Sequence, residues 1–313
     1  MASQKRDQDV SEWKTVILTF LRNELAATRK DGFAIGLSGG VDSAVVAALC
    51  AEVAPCGALH ALYLCDGHNH PRSERYARQV ARKLGCFFVR RDIDPLVRAR
   101  GGYSAGIVRF SRLSPLANRL IVLSARPLYR VLFHDTSFAA TLRSDETSLA
   151  CGLRGALHRG IAAAIEGGFN ARHTVRREIL EEYAEERNLL PIGAANKTES
   201  MVGWFVKGGI DDLVVEPLLD LFKGQVRQLA IALDIPGEVV RQTPSADMFK
   251  GVGDELAIGY SYEVLDQALG AIELGQGPDV CERVSKSQFR AIKRLHSLSK
   301  WKRENEHRFP RIA

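Results

Sequence analysis

One short stretch, Ser-Gly-Gly-Val-Asp-Ser at 38–43, constrains this chain more than any other. It follows an apolar run at 33–37 and precedes small apolar residues at 44–49, which predicts a strand, a glycine turn and a helix N-terminus. Adjacent glycines let a backbone approach a phosphate, and the first helical N–H groups point at its oxygens. A carboxylate in such a loop, Asp42, is expected chiefly where a divalent metal accompanies phosphates. The alternative is an ordinary glycine turn.

The pattern S-G-G-x-D-S, placed between a strand and a helix, resembles the signature of the PP-loop ATP pyrophosphatases. Enzymes of that superfamily adenylate an acceptor oxygen and release pyrophosphate. The loop lacks the Lys of G-x-x-x-x-G-K-[ST], which argues against a P-loop that cleaves a γ-phosphate.

A second series of motifs narrows the resemblance. A short apolar strand at 189–192 leads into G-A-A-N-K-T-E at 193–199. Further motifs follow in order: E-P-L at 216–218, Lys223 opening a helix, P-S-A-D at 244–247 and Asp254-Glu255. Several motifs in register are far more specific than one, and the series resembles ammonia-dependent NAD synthetase over residues 10–95 and 168–305.

That resemblance implies ATP-dependent amidation of deamido-NAD with ammonia, through an acyl-adenylate, by a homodimer that uses Mg²⁺. Asp42 and Glu199 match the family's magnesium-binding carboxylates. The positions that match its ATP contacts are Gly36, Leu37, Ser38, Gly39, Gly40, Val41, Asp42, Ser43, Ala194, Lys223 and Ser245. Lys207 and Lys302 match contacts with deamido-NAD, and Arg176 flanks a third such position.

The acceptor side of the resemblance is incomplete. Thr174 stands where the family has Arg, Ala194 where it has Thr, and Trp301 where it often has His. Ile210 and Val214 stand where the family has Asp, and Asp211 and Asp212 lie beside them in sequence. The adenylating half is therefore expected to be retained, while the acceptor is a deamido-NAD or a related carboxylate.

Apolar runs and helical periodicities alternate along the chain, which predicts a parallel sheet with helices on both faces. This α/β architecture is the adenine nucleotide alpha-hydrolase-like (PP-loop) three-layer sandwich that the resemblance implies. Strands are expected at 33–37, 58–64, 86–91, 189–192 and 213–216, and helices near 43–54, 71–84, 172–187, 197–207 and 223–233. An N-terminal helix is expected to be capped by Asp9 or Ser11. Because ligands bind at the carboxyl ends of parallel strands, the Ser38 loop and the 193–199 segment are expected to face one pocket.

With 313 residues, 46% of them hydrophobic, the chain can form one large domain spanning 1–313. It contains neither a bilayer-spanning run nor the apolar core of a signal peptide, so we expect a cytoplasmic protein with no membrane partner. No length remains for a glutaminase domain, so ammonia is expected to be free or supplied by another protein. Six cysteines without a C-x-x-C pair indicate reduced thiols, and C-D-G-H-N-H at 65–70 is better interpreted as a polar loop than as a metal site.

The segment at about 98–167 departs from the alternating pattern and is interpreted as an insertion. Residues 98–159 carry ten Arg, no Lys and three acids, a local charge of +7 against +6 for the whole chain. This Arg-rich insertion is either a lid or partner-facing element that gathers anionic substrates, or a solvated insert. A basic helical tail is expected at about 280–313.

Two other functions remain open from the sequence. An RNA-modifying PP-loop enzyme would use the insertion and the basic tail to hold tRNA, although no appended RNA-binding domain is recognisable and nucleic acid is not the favoured partner. A nucleotide-binding regulator would have lost catalysis together with the acceptor-side Asp residues. Retention of the Ser38 loop, Glu199 and Lys223 favours an enzyme.

Overall fold

The computed structural model describes residues 2–67, 69–103, 115–116, 118–120, 122–124, 127, 136–142, 153–245 and 251–312. The strands are β1 (Gly32–Gly36), β2 (Leu59–Cys65), β3 (Phe87–Asp92) and β4 (Leu189–Ile192). The helices are α1 (Ala2–Thr28), α2 (Val41–Ala51), α3 (Pro71–Leu84), α4 (Asp94–Ala99), α5 (Ser137–Thr141), α6 (Leu153–Glu186), α7 (Lys197–Val202), α8 (Lys223–Ala232), α9 (Gly237–Val240), α10 (Asp254–Ile258), α11 (Tyr262–Glu273) and α12 (Lys286–Leu298). Two short 3₁₀ helices span Pro278–Val280 and Lys300–Glu304.

The four strands form one parallel sheet in the order β3-β2-β1-β4. The chain therefore moves outward from β1 to β3 and then returns to the opposite side of β1 for β4. Strand order reverses at this point, which makes the carboxyl ends of β1 and β4 a topological switch point, where parallel sheets bind ligands.

Apolar side chains cover both faces of β1, β2 and β4, as their apolar composition predicts. On one face, Phe33, Ile35 and Tyr63 pack with α1, α2, α3 and α8. On the other, Ala34 and Leu62 pack with α4 and α6. The predicted α/β sandwich of three layers is confirmed, and both buried faces hold the switch point rigidly.

The expected fifth strand, 213–216, is wrong as a strand of this sheet. Val215 makes an isolated parallel bridge with Arg308, and its carbonyl accepts the Gly193 N–H at 2.9 Å. The ladder stops there because Pro217 has no N–H and the Leu213 N–H is taken by the Glu216 carboxylate at 3.1 Å. The segment still extends the sheet's edge just beyond β4.

Helix boundaries differ from the expectations in three places. Helix α1 begins at Ala2, so capping by Asp9 or Ser11 is wrong; the preceding residues are good helix formers and continue the helix. Helix α6 begins at 153 rather than near 172. Helix α7 ends at Val202 instead of 207, because Gly203 adopts φ +79° and closes the helix C-terminus.

Much of the insertion lies outside the described residues, whereas the tail is described up to residue 312. The central part of the insertion contains Arg109, Arg112, Arg119 and Arg126, and of these only Arg119 lies within the described residues. The arrangement of the insertion therefore stays a prediction. In the tail, α12 begins with a capping box between Ser285 and Gln288. The described cysteines are free thiols, while Cys151 lies outside the described part. No described helix has the length and hydropathy of a membrane span.

Candidate active site

The Ser38 loop is held in shape by its own hydroxyl groups. Ser38 Oγ accepts the Gly40 N–H at 3.2 Å, and Ser43 Oγ accepts the Ser38 N–H at 3.3 Å and donates to the Gly40 carbonyl at 3.1 Å. Gly39 has φ +86°, and a Cβ there would lie 2.3 Å from the Ser73 carbonyl oxygen. Only glycine fits this position, so the loop is preformed at the N-terminus of α2.

The segment between β4 and α7 is tied to this loop by one side chain. Asn196 caps α7 by accepting the Glu199 N–H at 3.0 Å, and its amide donates to Asp42 Oδ1 at 3.0 Å. Behind it, Glu216 is fully buried and accepts the Ala195 N–H at 2.8 Å. A Cβ at Gly193 would lie 1.9 Å from the Glu216 carboxylate, so this close packing requires glycine. The two predicted motifs therefore meet at the switch point.

Lys223 lies at the centre of a cluster of carboxylates. Its side chain is 2% exposed, and its Nζ lies 2.6 Å from Asp42 Oδ2 and 2.9 Å from Glu199 Oε1. The hydroxyl of Tyr262 lies 2.9 Å from the same Glu199 oxygen and 3.1 Å from Asp254 Oδ2. Three carboxylates thus surround one ammonium group, and the cluster carries excess negative charge.

The electrostatics of this cluster follow from its burial. Burial opposes the charge on Lys223, but Asp42, Glu199 and Asp254 outweigh it and hold the pKa of the ammonium above its usual range. Burial raises the pKa of Glu199 to about 7; Lys223 opposes this rise, and Asp42 and Asp254 add to it. Burial also raises the pKa of Tyr262 well above its usual value, so the phenol remains a donor.

Carboxylate oxygens such as those of Asp42 and Glu199 are the ligands that Mg²⁺ prefers. In the described ranges no group of three or more His, Cys, Asp or Glu side chains is arranged to hold a metal by itself. A cation here would therefore need further oxygens, which nucleotide phosphates supply at typical Mg²⁺ sites. The donor set fits such a shared site.

A second group of side chains lines the same cavity over the ends of β1 and β2. It comprises His173, Arg176, Trp204, Ile210 and Asp211. We call this group the acceptor half and the Lys223 cluster with the Ser38 loop the nucleotide half.

The acceptor half is positively charged on its α6 side. Arg172 and Arg176 both bind the buried carboxylate of Asp66, at 2.6 Å and 2.8 Å. The two guanidinium groups share this carboxylate, and Arg176 brings its positive charge to the cavity that it lines. Such a charge attracts a carboxylate or phosphate.

The structure brings most of the predicted site residues together. The predicted residues that line the cavity are Gly36, Ser38, Gly40, Val41, Asp42, Ser43, Arg176, Ala194, Glu199, Lys223 and Ser245. Leu37 lies in the core and Gly39 against Ser73, so these two shape the loop from behind. Lys207 and Lys302 lie outside the cavity lining: Lys207 donates to the Trp301 carbonyl at 2.9 Å, and Lys302 to the Gly203 carbonyl at 2.7 Å.

Sequence reasoning did not assign several residues of the site. Asp254 belongs to the Asp254-Glu255 motif, and the position of that motif in the ordered series is a sequence signal for a role in the site. Tyr262 and Asn196 carry no separate signal, because a tyrosine at a helix start and an asparagine before a helix are common as core and cap residues. The pairing of His173 with Asp211 depends on how α6 lies across the sheet.

The polar segment at 65–70 connects β2 to α3, and its described side chains take part in local hydrogen bonds and ion pairs. His70 caps α3 by accepting the Arg72 N–H at 3.1 Å, and Asn69 accepts the Asp66 N–H at 2.6 Å. The Asp66 carboxylate is occupied by the two arginines. His68 lies outside the described residues.

Comparison with known proteins agrees with this fold and site. The NAD synthase family profile matches residues 13–108 and 154–306. The NH(3)-dependent NAD(+) synthetase of Coprothermobacter proteolyticus is 32% identical over 82% of this chain and 83% of its own length. That of Thermotoga neapolitana is 29% identical over 98% and 99% of the two chains.

Solved structures share the fold. The NMN synthetase from Francisella tularensis superposes with a TM-score of 0.67 at 24% identity, covering 95% of this chain and 96% of its own. The NH3-dependent NAD synthetase from Campylobacter jejuni gives a TM-score of 0.62 at 18% identity, covering 94% and 96%.

The fold and the cavity at its switch point define an α/β nucleotide-binding enzyme of the PP-loop type. Within that class, the residues that match the family profile identify the family, because they include both the Ser38 loop and the 193–199 segment. The chain belongs to the NAD synthase family and is a carbon–nitrogen ligase.

Proposed function

We propose that this protein converts deamido-NAD to NAD with ATP and ammonia. The acceptor carboxylate would attack the α-phosphate of ATP to give an acyl-adenylate and pyrophosphate, and ammonia would then displace AMP. The observation that carries the proposal is the junction of the two loops through Asn196, with Lys223 buried between Asp42 and Glu199. The two relatives named above as NH(3)-dependent NAD(+) synthetases share this family.

In this proposal the protein mainly positions groups and neutralises charge. The preformed Ser38 loop presents backbone N–H groups and hydroxyls to the phosphates, and Lys223 supplies positive charge to the departing pyrophosphate. Ser245 lines the cavity from the far side, where its hydroxyl reaches the Val252 carbonyl at 3.2 Å. Arg176 orients the anionic acceptor.

We propose Mg²⁺ as the resident metal, held by Asp42 and Glu199 together with phosphate oxygens. When bound, it supplies charge neutralisation to the phosphates. The three carboxylates exceed the single charge of Lys223, which supports a cation at this place. Titration with Mn²⁺ in the presence of a nonhydrolysable ATP analogue, followed by its electron spin resonance, tests this without turnover: Asp42→Asn should weaken the binding.

ATP–pyrophosphate exchange separates the proposed function from its alternatives. Exchange should depend on deamido-NAD and should not occur with tRNA or without an acceptor. Addition of ammonia should then convert deamido-NAD to NAD, detected by chromatography. Exchange with tRNA alone would support the RNA-modifying alternative, and binding of ATP without exchange would support the regulator.

A second candidate acceptor is the smaller nicotinate mononucleotide. Ile210 presses against β1, since a Cβ on Gly36 would lie 2.7 Å from its Cδ1 atom. This apolar side chain narrows the acceptor half and removes a hydrogen-bond acceptor there. The Francisella tularensis protein with the same fold is an NMN synthetase. Exchange measured with both acceptors at equal concentration decides between them.

The remaining features of the proposal concern assembly and supply. We propose a homodimer, a cytoplasmic location and a single domain that carries the Arg-rich insertion. Ammonia would arrive free or from a separate protein. Sedimentation analysis of the purified chain tests the dimer.

A further inference from the structure

A histidine and an aspartate form a pair in the acceptor half, and neither has a role in the proposed reaction as described above. His173 Nδ1 lies 2.7 Å from Asp211 Oδ2, and both residues line the cavity. His173 is 6% exposed, and neither of its ring nitrogens makes a hydrogen bond within the described part of the chain, although Nδ1 lies close to the Asp211 carboxylate. Buried polar atoms are normally paired, so an unpartnered nitrogen beside a cavity indicates a ligand.

The imidazole is held firmly in this position. The ring of Phe169 stacks on it with centroids 5.5 Å apart and planes 15° apart. The backbone is anchored as well: the Ile210 N–H donates to the His173 carbonyl at 3.2 Å, and a Cβ at Gly209 would lie 2.8 Å from the His173 Cβ. The stacked face and the anchored backbone restrict the positions that the ring can take.

The pair lies on the opposite side of β1 from the pyrophosphate-binding cluster. Its turn, 209–211, reaches β1 through Ile210, which packs at Gly36 just before the Ser38 loop. In an in-line displacement at the α-phosphate, the acceptor lies opposite the departing pyrophosphate. The carbonyl carbon of the acyl-adenylate therefore belongs to the half of the cavity that contains His173.

Within the described residues, the positively charged groups that act on Asp211 lie on α6 and on the C-terminal segment. Burial raises the pKa of Asp211, but His173 and then Arg176 and Lys302 outweigh it and hold that pKa below its usual range. Arg172 lies in the preceding position on α6 and is neutralised by Asp66. Asp211 is thus an anionic group beside the His173 ring.

We infer that His173 is the proton acceptor for the amine in the second half of the proposed reaction, with Asp211 as its positioning residue. As the ammonia nitrogen bonds to the carbonyl carbon, Nε2 takes one proton from that nitrogen. The carbon–oxygen bond to AMP breaks and AMP leaves with the electron pair. The products are the amide, AMP and an imidazolium paired with Asp211, which returns its proton to solvent. The inference rests on the proposed function.

The test separates adenylation from amide formation in the full-length protein. Acceptor-dependent ATP–pyrophosphate exchange, measured without ammonia, reports adenylation. The rate of amide formation, expressed against the concentration of free NH₃, reports the second step. His173→Gln should retain exchange and lose about 10²-fold or more in amide formation, the usual contribution of a general base. His60→Gln, a histidine on β2 that pairs with Tyr183 outside the cavity, should change neither.

The pH profile distinguishes a base from a packing residue. In the wild type, amide formation should fall as the pH drops through the range where imidazole is protonated, and His173→Gln should lack this limb. Asp211→Asn keeps the imidazole but removes the carboxylate that lies 2.7 Å from Nδ1, so it should lower the rate of amide formation while exchange is retained. Hydroxylamine, whose nitrogen is less basic than ammonia, should suffer a smaller loss in His173→Gln because it gives up its proton to water more readily.

Three results overturn the inference. If His173→Gln lowers exchange and amide formation by the same factor, the residue only shapes the acceptor site. If the acidic limb persists in His173→Gln, another group takes the proton. If the wild type shows no exchange with either deamido-NAD or the mononucleotide, the proposed function itself fails and the inference fails with it.

Discussion

Asp42 and Glu199 face each other across Lys223, and each adds charge to the site with little packing. Asp42→Asn or Glu199→Gln should abolish turnover while the fold stays intact, because each removes charge that neutralises the transferring group. We expect a loss of about 3–4 kcal/mol in transition-state stabilisation, as for removal of one electrostatic catalytic group. Steady-state kinetics at saturating Mg²⁺, with circular dichroism as the check on folding, measure it.

The matched control for this prediction is Glu238→Gln. Glu238 is an exposed carboxylate that pairs with Arg75 at 3.0 Å, away from the cavity. Its loss should leave kcat/KM unchanged. Near-normal activity of either Asp42→Asn or Glu199→Gln would remove that carboxylate from the mechanism.

Ile210 and Val214, which both stand where the family has Asp, lie in different surroundings in the structure. Ile210 lines the cavity, whereas Val214 is 48% exposed and binds the Arg308 N–H through its carbonyl, away from the cavity lining. Ile210→Asp should therefore favour deamido-NAD over the mononucleotide by about 1–3 kcal/mol in kcat/KM, the usual cost of a missing hydrogen-bond partner. Val214→Asp is the control. Equal effects of the two substitutions, measured with both acceptors, would contradict this assignment.

Among the elements, the C-terminal segment is fastened to the sheet edge by a titratable contact. His307 Nε2 lies 3.2 Å from Asp212 Oδ1, and its Nδ1 lies 2.9 Å from the Leu213 carbonyl. The hydrogen bond with Asp212 raises the pKa of His307, against the effect of burial and with help from the Leu213 carbonyl. A raised pKa in the folded state means that the contact stabilises fully below the unfolded pKa.

This contribution should be lost as the pH rises through the elevated pKa of His307. The free energy of unfolding of the wild type should therefore exceed that of His307→Gln by on the order of 1 kcal/mol at pH 5.5, and by less at pH 8.5. Urea denaturation of both proteins at the two pH values measures the difference. A difference that does not change with pH would show that packing, and not charge, anchors the segment.

Local elements were also the best predicted part of the fold. The strands β1, β2 and β4 are mostly apolar runs, and β3 begins with one, so their positions depend mainly on nearby sequence. The 213–216 segment is also largely apolar, but Pro217 and the Glu216 carboxylate limit its pairing to an isolated bridge with Arg308. Composition could not show that Glu216 would take the Leu213 N–H.

At the scale of the whole molecule, the site could be predicted where motifs carry it and not where packing does. The Ser38 loop and the 193–199 segment meet at the switch point as the alternation of elements implied. The burial of Lys223 between carboxylates and the His173–Asp211 pair depend on contacts between distant helices. Local sequence patterns do not show which residues of distant helices come into contact, so these two features could not be predicted.

The Arg-rich insertion gives the molecule its net charge, and this leads to a prediction about substrate capture. Neutralising Arg109, Arg112, Arg119 and Arg126 together should raise the KM for ATP and for the acceptor and flatten their salt dependence, because long-range attraction is screened by salt. Michaelis constants measured from low to physiological ionic strength test this. Unchanged constants at low salt would favour a solvated insert.

The order of the strands also determines when this site can exist during synthesis. Strand β1 gains its second neighbour only when β4 has emerged, and Lys223 is 181 residues from Asp42 in the chain. At about 5–20 residues per second, the ribosome needs about 10–40 s to cover that distance. For most of that interval, until β4 has emerged, one edge of β1 is open to wrong pairing. ATP binding that uses both the Ser38 loop and Lys223, as proposed above, is therefore open only to a chain that has been synthesised past Lys223.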